Sequence, residues 1–271
     1  LTEGAILHYR AGLKMEPWLE GGQQKREIKP GDPITLWHDL EGRGGDASLV
    51  LFDRKKEFCP KYAFNKPSGF KDEAGMAQFE QKSGMFNMMD KSKNEAKEYP
   101  FGQNTKRKGV TVIMIVRPKM SDKEQRLFLL RNQDNNGSLS VQVFPNNEVK
   151  CIARAKGKDG KEVIKEGKSS GRNLKEFCMV TLTWDGTTNK IIMMVRNNDG
   201  NKSRTEFEAP KDCAVLNELS ISSRQQNPSE KFIGDLMELV VWPFPMDVDM
   251  RTMQDQKIAE FYLERPGTRF N

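Results

Sequence analysis

The stretch LNELSISSRQQNPSEKFIGDLMELVVWPFPMDVDMRTMQDQKIAEFYL, residues 216–263, decides how the chain is read. It opens with two β-type runs, 219–222 and 232–242, joined by a polar loop that contains Asn227 and Pro228. The second run alternates early, through Phe232, Gly234, Leu236 and Glu238, and then turns apolar at Leu239, Val240, Val241 and Trp242. Alternation marks a strand with one buried face, and a continuous apolar run marks burial on both. Pro243-Phe244-Pro245 breaks the run and a helix signal follows. Asp247 or Asp249 serves as N-cap, and Met250, Met253, Ile258, Phe261 and Tyr262 are expected on one face. Pro266-Gly267 stops the helix.

Working upstream, strand signals recur at the spacing of a β-sandwich. Residues 109–117 (GVTVIMIVR) form a β-branched run that is apolar on both faces, as in a central strand. Further runs lie at 5–9, 76–80, 85–88, 126–130, 139–144, 148–153, 177–184, 190–196 and 205–207. Turn residues punctuate them at Asn135-Asn136-Gly137, Asn146-Asn147, Asp185-Gly186 and Asp199-Gly200. The Gly/Lys/Glu-rich piece through Pro33 has no periodicity and reads as a long loop. No internal repeat appears, so the chain is read as one all-β domain over residues 1–271.

Composition narrows the class. Apolar content is 36% and charged content 30%, with mean hydropathy −0.72, but the apolar residues cluster into strand-like runs that can build a core. No apolar run approaches the ~20 residues of a membrane-spanning helix. The chain opens at Leu1 without Met, which reads as a processed or trimmed start. The net charge of +6 is uneven. Residues 91–108 hold six Lys/Arg against two Glu, and residues 154–175 hold eight against three acids. These segments contribute +4 and +5, so the remainder is −3, and the basicity is expected in two long loops. Cys59, Cys151, Cys178 and Cys213 make no CxxC pair, which disfavours zinc. Cys151 and Cys178 fall in strand runs and read as buried thiols, whereas export would permit one or two disulfides.

The closing strand and helix, read as Phe-x-Gly-Asp-Leu-x-Glu, three apolar residues, a break and a Met-containing Asp-x-x-Arg helix, resemble the end of laminin-G-like, concanavalin A-like jelly-roll domains. Other segments match in the same order. They are Trp37, Asp39, Gly42, Gly44 and Ala47 in a glycine-dense turn, the strand pair at 76–88, the run through Arg117-Pro118, and Val180-Thr181-Leu182-Thr183-Trp184-Asp185-Gly186. Glu41 and Arg43 stand where the pattern usually has Ser and Asn, and Trp184 where Tyr is common. The resemblance implies an antiparallel β-sandwich of jelly-roll type with a closing helix. It also implies calcium at the sandwich rim, for which Asp39 and Asp46, or Asp134 with Asn135 and Asn136, are the available groups. Turn stabilisation is the competing role for the same residues.

Related jelly-roll glycosidases need two carboxylates on one strand face, and Asp235-x-x-Glu238 is the nearest pair. A three-residue offset puts these side chains on opposite faces unless a bulge intervenes, so catalysis is not expected. His8 alternates with apolar neighbours and reads as a hydrogen-bonded interior group. No Ser/His/Asp or Cys/His set and no glycine-rich phosphate loop is present. Two binding surfaces are expected. Trp18 with the loop Arg224, Gln225, Gln226 and Asn227 suits a glycan, while Trp37, Trp184 and Trp242 read as packing. Lys156, Lys158, Lys161, Lys165, Lys168 and Arg172 suit an anionic polymer. Nucleic acid is disfavoured because aromatic residues are not interleaved with those lysines. The reading is a non-enzymatic recognition or adhesion module for carbohydrate or an anionic surface polymer, extracellular or at a cell surface. An assembly protein, such as a virion component with protein partners, is the alternative, and a glycosidase-like enzyme is a weaker one.

Overall fold

The run at 232–242 becomes the strand on which one whole sheet depends. The computed structural model describes residues 5, 7–19, 26–40, 47–51, 55–84, 86–90, 95–96, 109–131, 137–146, 148–157, 159–170, 174, 176–210, 218–222 and 230–262. The first half contributes β1 (Leu7–Arg10), β2 (Met15–Pro17), β3 (Ile34–His38), β4 (Ala47–Leu51), β5 (Lys61–Asn65), β6 (Ala74–Phe79), β7 (Phe86–Asp90), β8 (Glu95–Ala96) and β9 (Gly109–Pro118). The second half contributes β10 (Gln125–Arg131), β11 (Gly137–Val143), β12 (Glu148–Lys156), β13 (Glu162–Ser170) and β14 (Cys178–Asp185). It continues with β15 (Lys190–Asn197), β16 (Lys202–Glu208), β17 (Glu218–Ile221), β18 (Gly234–Trp242) and the helix α1 (Val248–Tyr262).

Sheet A has the order β16-β15-β14-β9-β18-β6-β5, with β1 also paired to β18. Sheet B has the order β13-β12-β11-β10-β17-β7-β4-β3-β2, with β8 on β7. Pairing is antiparallel, and the two sheets with one closing helix form the β-sandwich expected from the sequence. Leu236, Leu239 and Val241 of β18 enter the main core between the sheets. Met237, Val240 and Trp242 enter a second core between sheet A and α1. Two apolar layers therefore explain the unbroken apolar end of β18. Trp37, Trp184 and Trp242 are buried, as expected.

Three expectations are corrected. The loop read at 154–175 contains the nine-residue strand β13, paired to β12 along its whole length. Its polar composition fits an edge strand, and at Gly167 a Cβ would lie 2.5 Å from the Phe207 ring of β16, so glycine permits the two sheet edges to meet. Met15–Pro17, inside the segment read as loop, pairs with β3. The apolar face assigned to α1 is also wrong in part. Its buried residues are Arg251, Gln254, Asp255, Ile258, Ala259 and Tyr262, while Met250, Met253 and Phe261 are exposed. The cause is the sheet beneath: Arg196 and Lys202 lie 2.7 and 3.1 Å from Asp255, so polar helix residues match polar strand residues. Asp247 is the N-cap, accepting the Met250 amide at 2.8 Å. The basic segment at 91–108 lies outside the described residues apart from β8.

Candidate functional site

Alternation along β10–β13 separates an inward apolar set from an outward polar one. Leu139, Val141, Val149, Cys151 and Ala153 face the core. Their alternates face away from sheet A, and the register brings those into line. Arg126 pairs with Gln142, Gln142 with Lys150, and Lys150 with Lys168, a four-strand row. At about 4.8 Å between strands the row spans about 14 Å. Four residues along β11, a second row aligns Arg131, Ser138, Arg154 and Ile164. Phe144 follows β11 and is partly exposed, with the Lys150 ammonium 4.0 Å from its ring centroid.

Carboxylates fix the cations of this face. Arg126 is ion-paired with Glu230, Arg131 Nε lies 2.5 Å from Glu218, and Glu166 lies 3.8 Å from both Lys150 and Lys168. Arg154 reaches Glu162 at 3.4 Å. Burial pushes the Arg126 guanidinium pKa down, Glu230 opposes that, and Arg154 and Arg131 add repulsion. The face therefore presents cations tethered by carboxylates beside one aromatic ring, with Gln142 buried among them, rather than a block of bare charge.

The sequence-derived binding residues divide among several places. Lys156 and Lys168 are exposed on the outward side of the β12–β13 pair, and Lys165 is exposed on the opposite side of β13. Lys161 sits at the hairpin turn, 3.7 Å from Asp159. Lys158 and Arg172 lie outside the described residues, as do Arg224, Gln225, Gln226 and Asn227. Trp18 is at the far edge of sheet B, partly buried against the main core, with its amide donating to Pro33 O at 2.7 Å. An open cleft of about 640 Å³ runs beside it, lined by Lys55, Lys56 and Glu57. Asp39 is buried and accepts the His8 amide at 2.8 Å, which ties the end of β3 to β1. Asp46, Asp134, Asn135 and Asn136 lie outside the described residues. Among the described residues no group of three or more His, Cys, Asp or Glu is arranged to hold a metal ion.

Asp235 and Glu238 were expected on opposite faces. Instead the register against β9 shifts between Leu236 and Glu238, and this bulge brings Glu238 to the face that Asp235 already occupies, away from the main core. Neither is available for substrate in this arrangement. Asp235 is fully buried and receives Arg117 Nε at 2.8 Å and Nη2 at 2.6 Å. Glu238 is 3% exposed, with His8 Nε2 at 2.5 Å and Arg10 Nη2 at 3.0 Å, and it accepts the Tyr262 hydroxyl. Burial raises the Glu238 carboxyl, but the His8 hydrogen bond and the Arg10 charge outweigh it and hold the pKa below the ordinary carboxylate value. Burial and the Glu238 charge push the Tyr262 phenol well up. The cluster fastens β1 and α1 to β18. The sequence reading of His8 as an interior hydrogen-bonded group agrees.

The reading of single loops passed over Arg126, Gln142, Phe144, Lys150 and Arg154. One signal was present: in β12 Lys150, Ile152, Arg154 and Lys156 alternate with Val149, Cys151, Ala153 and Ala155.

No family model and no curated protein matches the chain. Solved structures similar to it include the CBM40 of the Ruminococcus gnavus IT-sialidase bound to α2,3-sialyllactose, at 11% identity, over 52% of this chain and 79% of that one, with TM-score 0.41. Tailspike protein 2 of the Escherichia coli O157:H7 bacteriophage CAB120 shows 13% identity over 81% of this chain and 29% of that one, with TM-score 0.46. Mouse laminin α1 chain domains LG4-5 show 14% identity over 56% and 40%, with TM-score 0.40. At these values they assign no site and no ligand to this chain.

Proposed function

We propose that the protein is a non-enzymatic recognition module that binds a carbohydrate polymer on the outward face of sheet B, extracellularly or at a cell or virion surface. The observation that carries this reading is the aligned row of Arg126, Lys150 and Lys168 about the buried Gln142, with Phe144 beside Lys150. A sugar presents hydroxyl pairs and an apolar ring face. Charged donors and the carboxylates that tether them match the former, and an aromatic ring matches the latter. The ion pairs hold the row in place before binding, which lowers the ordering cost.

A glycan array at low and high salt, each with calcium and with EDTA, tests it. The expected result is binding that survives high salt in part and is weakened about tenfold or more by Phe144→Ala or Lys150→Ala. Binding confined to acidic polymers and abolished by salt would move recognition to the exposed lysines of the β12–β13 hairpin. Calcium dependence would bring Asp39 and Asp46 back as ligands. A blank array in every condition would overturn the proposal. One observation favours assembly as the second reading: Met250, Met253 and Phe261 make an exposed apolar stripe on α1. Concentration-dependent sedimentation alongside a blank array would support that reading.

A further inference from the structure

The outer face of α1 is built differently from the face that packs on sheet A. At about 100° per residue, the buried Arg251, Asp255, Ile258 and Tyr262 fall on one side of the helix and Met253 on the opposite line. Met253 is 48% exposed, and Met250 and Phe261 lie to one side of it at 36% and 49%. Four positions to either side of Met253 stand Asp249 and Lys257, both exposed. The three form one ridge at i, i+4 and i+8, with opposite charges at its two ends. Neighbouring polar groups are satisfied within the helix: Gln256 donates to Glu260 Oε1 at 2.9 Å and Thr252 to Val248 O at 2.8 Å. The salt bridges that reach α1 go to Asp255, and Asp249 and Lys257 have no ion-pair partner among the described residues.

A ridge with an anion at one end, a cation at the other and an apolar centre is complementary to itself when reversed. We propose that α1 is the docking surface for a second copy of this chain, the two helices crossing antiparallel at Met253 about a two-fold axis. Positions equally spaced before and after Met253 then face each other across the axis. Asp249 meets the partner's Lys257, Lys257 meets the partner's Asp249, and the two Met253 side chains pack at the centre. Phe261 falls opposite the partner's Pro245, beside Phe244, both of them only partly buried. Glu260 falls beyond the start of the partner's helix at Val248. A register shifted by one turn sets Met253 against the partner's Lys257 and Asp249 against its Phe261, so the charges select the centred register. The 15 residues of α1 span about 22 Å. One such helix pair buries well under the ~1,600 Å² of a standard interface, so the expected Kd is on the order of 10–100 µM. The helix packs on the side of sheet A away from the main core. Pairing therefore leaves both sheet B faces free, and it does not depend on carbohydrate recognition there.

Sedimentation velocity of the purified chain from about 5 to about 500 µM tests the proposal, with monomer expected at the low end and dimer at the high end. Asp249→Lys and Lys257→Asp each set like charges against one another twice, and each should weaken dimerisation about tenfold or more. Mixed in equal amounts, the two variants re-form both ion pairs in a heterodimer, so the mixture should associate nearly as well as the wild type. Met253→Glu puts two carboxylates at the axis and should abolish pairing. All three side chains are exposed, so circular dichroism and Tm should stay close to wild type in each variant. A wild type that remains monomeric at about 500 µM would overturn the proposal. So would a Met253→Glu protein that dimerises like the wild type, or a mixture that associates no better than either variant alone. A blank glycan array would leave the dimer standing, since no residue of the ridge lies on sheet B, and a monomeric chain would leave glycan binding standing.

Discussion

Replacing Glu238 with Gln tests whether the buried cluster fastens α1 and β1 to sheet A. The substitution keeps the shape but removes the charge opposite Arg10 and one of the acceptors shared by His8 and Tyr262. Stripping one partner from a buried ion pair typically costs about 3–5 kcal/mol. Here the Arg10 side chain retains 24% exposure, so water recovers part of the loss, and Gln still offers one acceptor oxygen. The expected destabilisation is therefore about 2–3 kcal/mol, or about 4–6 °C in Tm for a chain of this length. The sign with pH follows from the depressed Glu238 pKa. Its contribution is present above the unfolded carboxylate value and is lost as pH falls through the lower folded value. The gap between wild type and variant should thus be full at pH 7 and shrink on acidification below about pH 4.5. Urea unfolding followed by tryptophan fluorescence across that range measures it, with Trp242 fully buried in the adjoining core as reporter. A gap under about 0.5 kcal/mol at pH 7, or one that widens in acid, would refute the reasoning.

Lys150→Glu with Lys168→Glu should weaken binding of acidic glycans at least about tenfold and flatten its salt dependence, while Tm changes by no more than about 3 °C. Isothermal titration at two salt concentrations reads both quantities. Cys59 and Cys178, each with a thiol pKa pushed up to about 12 by burial, should resist iodoacetamide in the native state at pH 8 and label on denaturation. Peptide mapping of the alkylated protein checks them individually. Gly234→Ala should be severe, with a loss of about 3 kcal/mol or more measurable by urea unfolding. Its φ is +147° and a Cβ would lie 2.3 Å from Arg117 O, within the pairing to β9. Tm within 2 °C of wild type would show that β18 can enter the sheet differently.

The strands that carry the core were legible because burial writes itself into residue order. Residues 109–117, 139–144, 177–184 and 232–242 all appear as strands, with ends displaced by one or two residues. The polar strand β13 was not legible, since its pairing depends on β12 and on Gly167 admitting Phe207, and neither leaves an apolar pattern of its own. The bulge at Met237 was equally hidden. It changes which face Glu238 occupies without any proline or glycine at that position to announce it. The α1 face was misread because hydrophobicity was taken as the guide to burial, whereas Asp255 is buried by its pairing with Arg196 and Lys202. The candidate site suffered most. Arg126 and Lys168 are 42 positions apart in the chain and join one row only through the register of three strand pairs.

The position of β18 also bears on how the chain reaches its fold during synthesis. His8 meets Glu238 across 230 positions, and β9 waits for β18 until 124 further residues have been made, from 118 to 242. At about 5–20 residues per second that interval is about 6–25 s. Throughout it β9, a row of Val, Ile and Met, has one long edge unpaired, which is the geometry that recruits other strands. Nascent chains that stall before Gly234 should therefore be strong clients for chaperones that hold extended apolar segments, and release should coincide with emergence of the closing strand and helix.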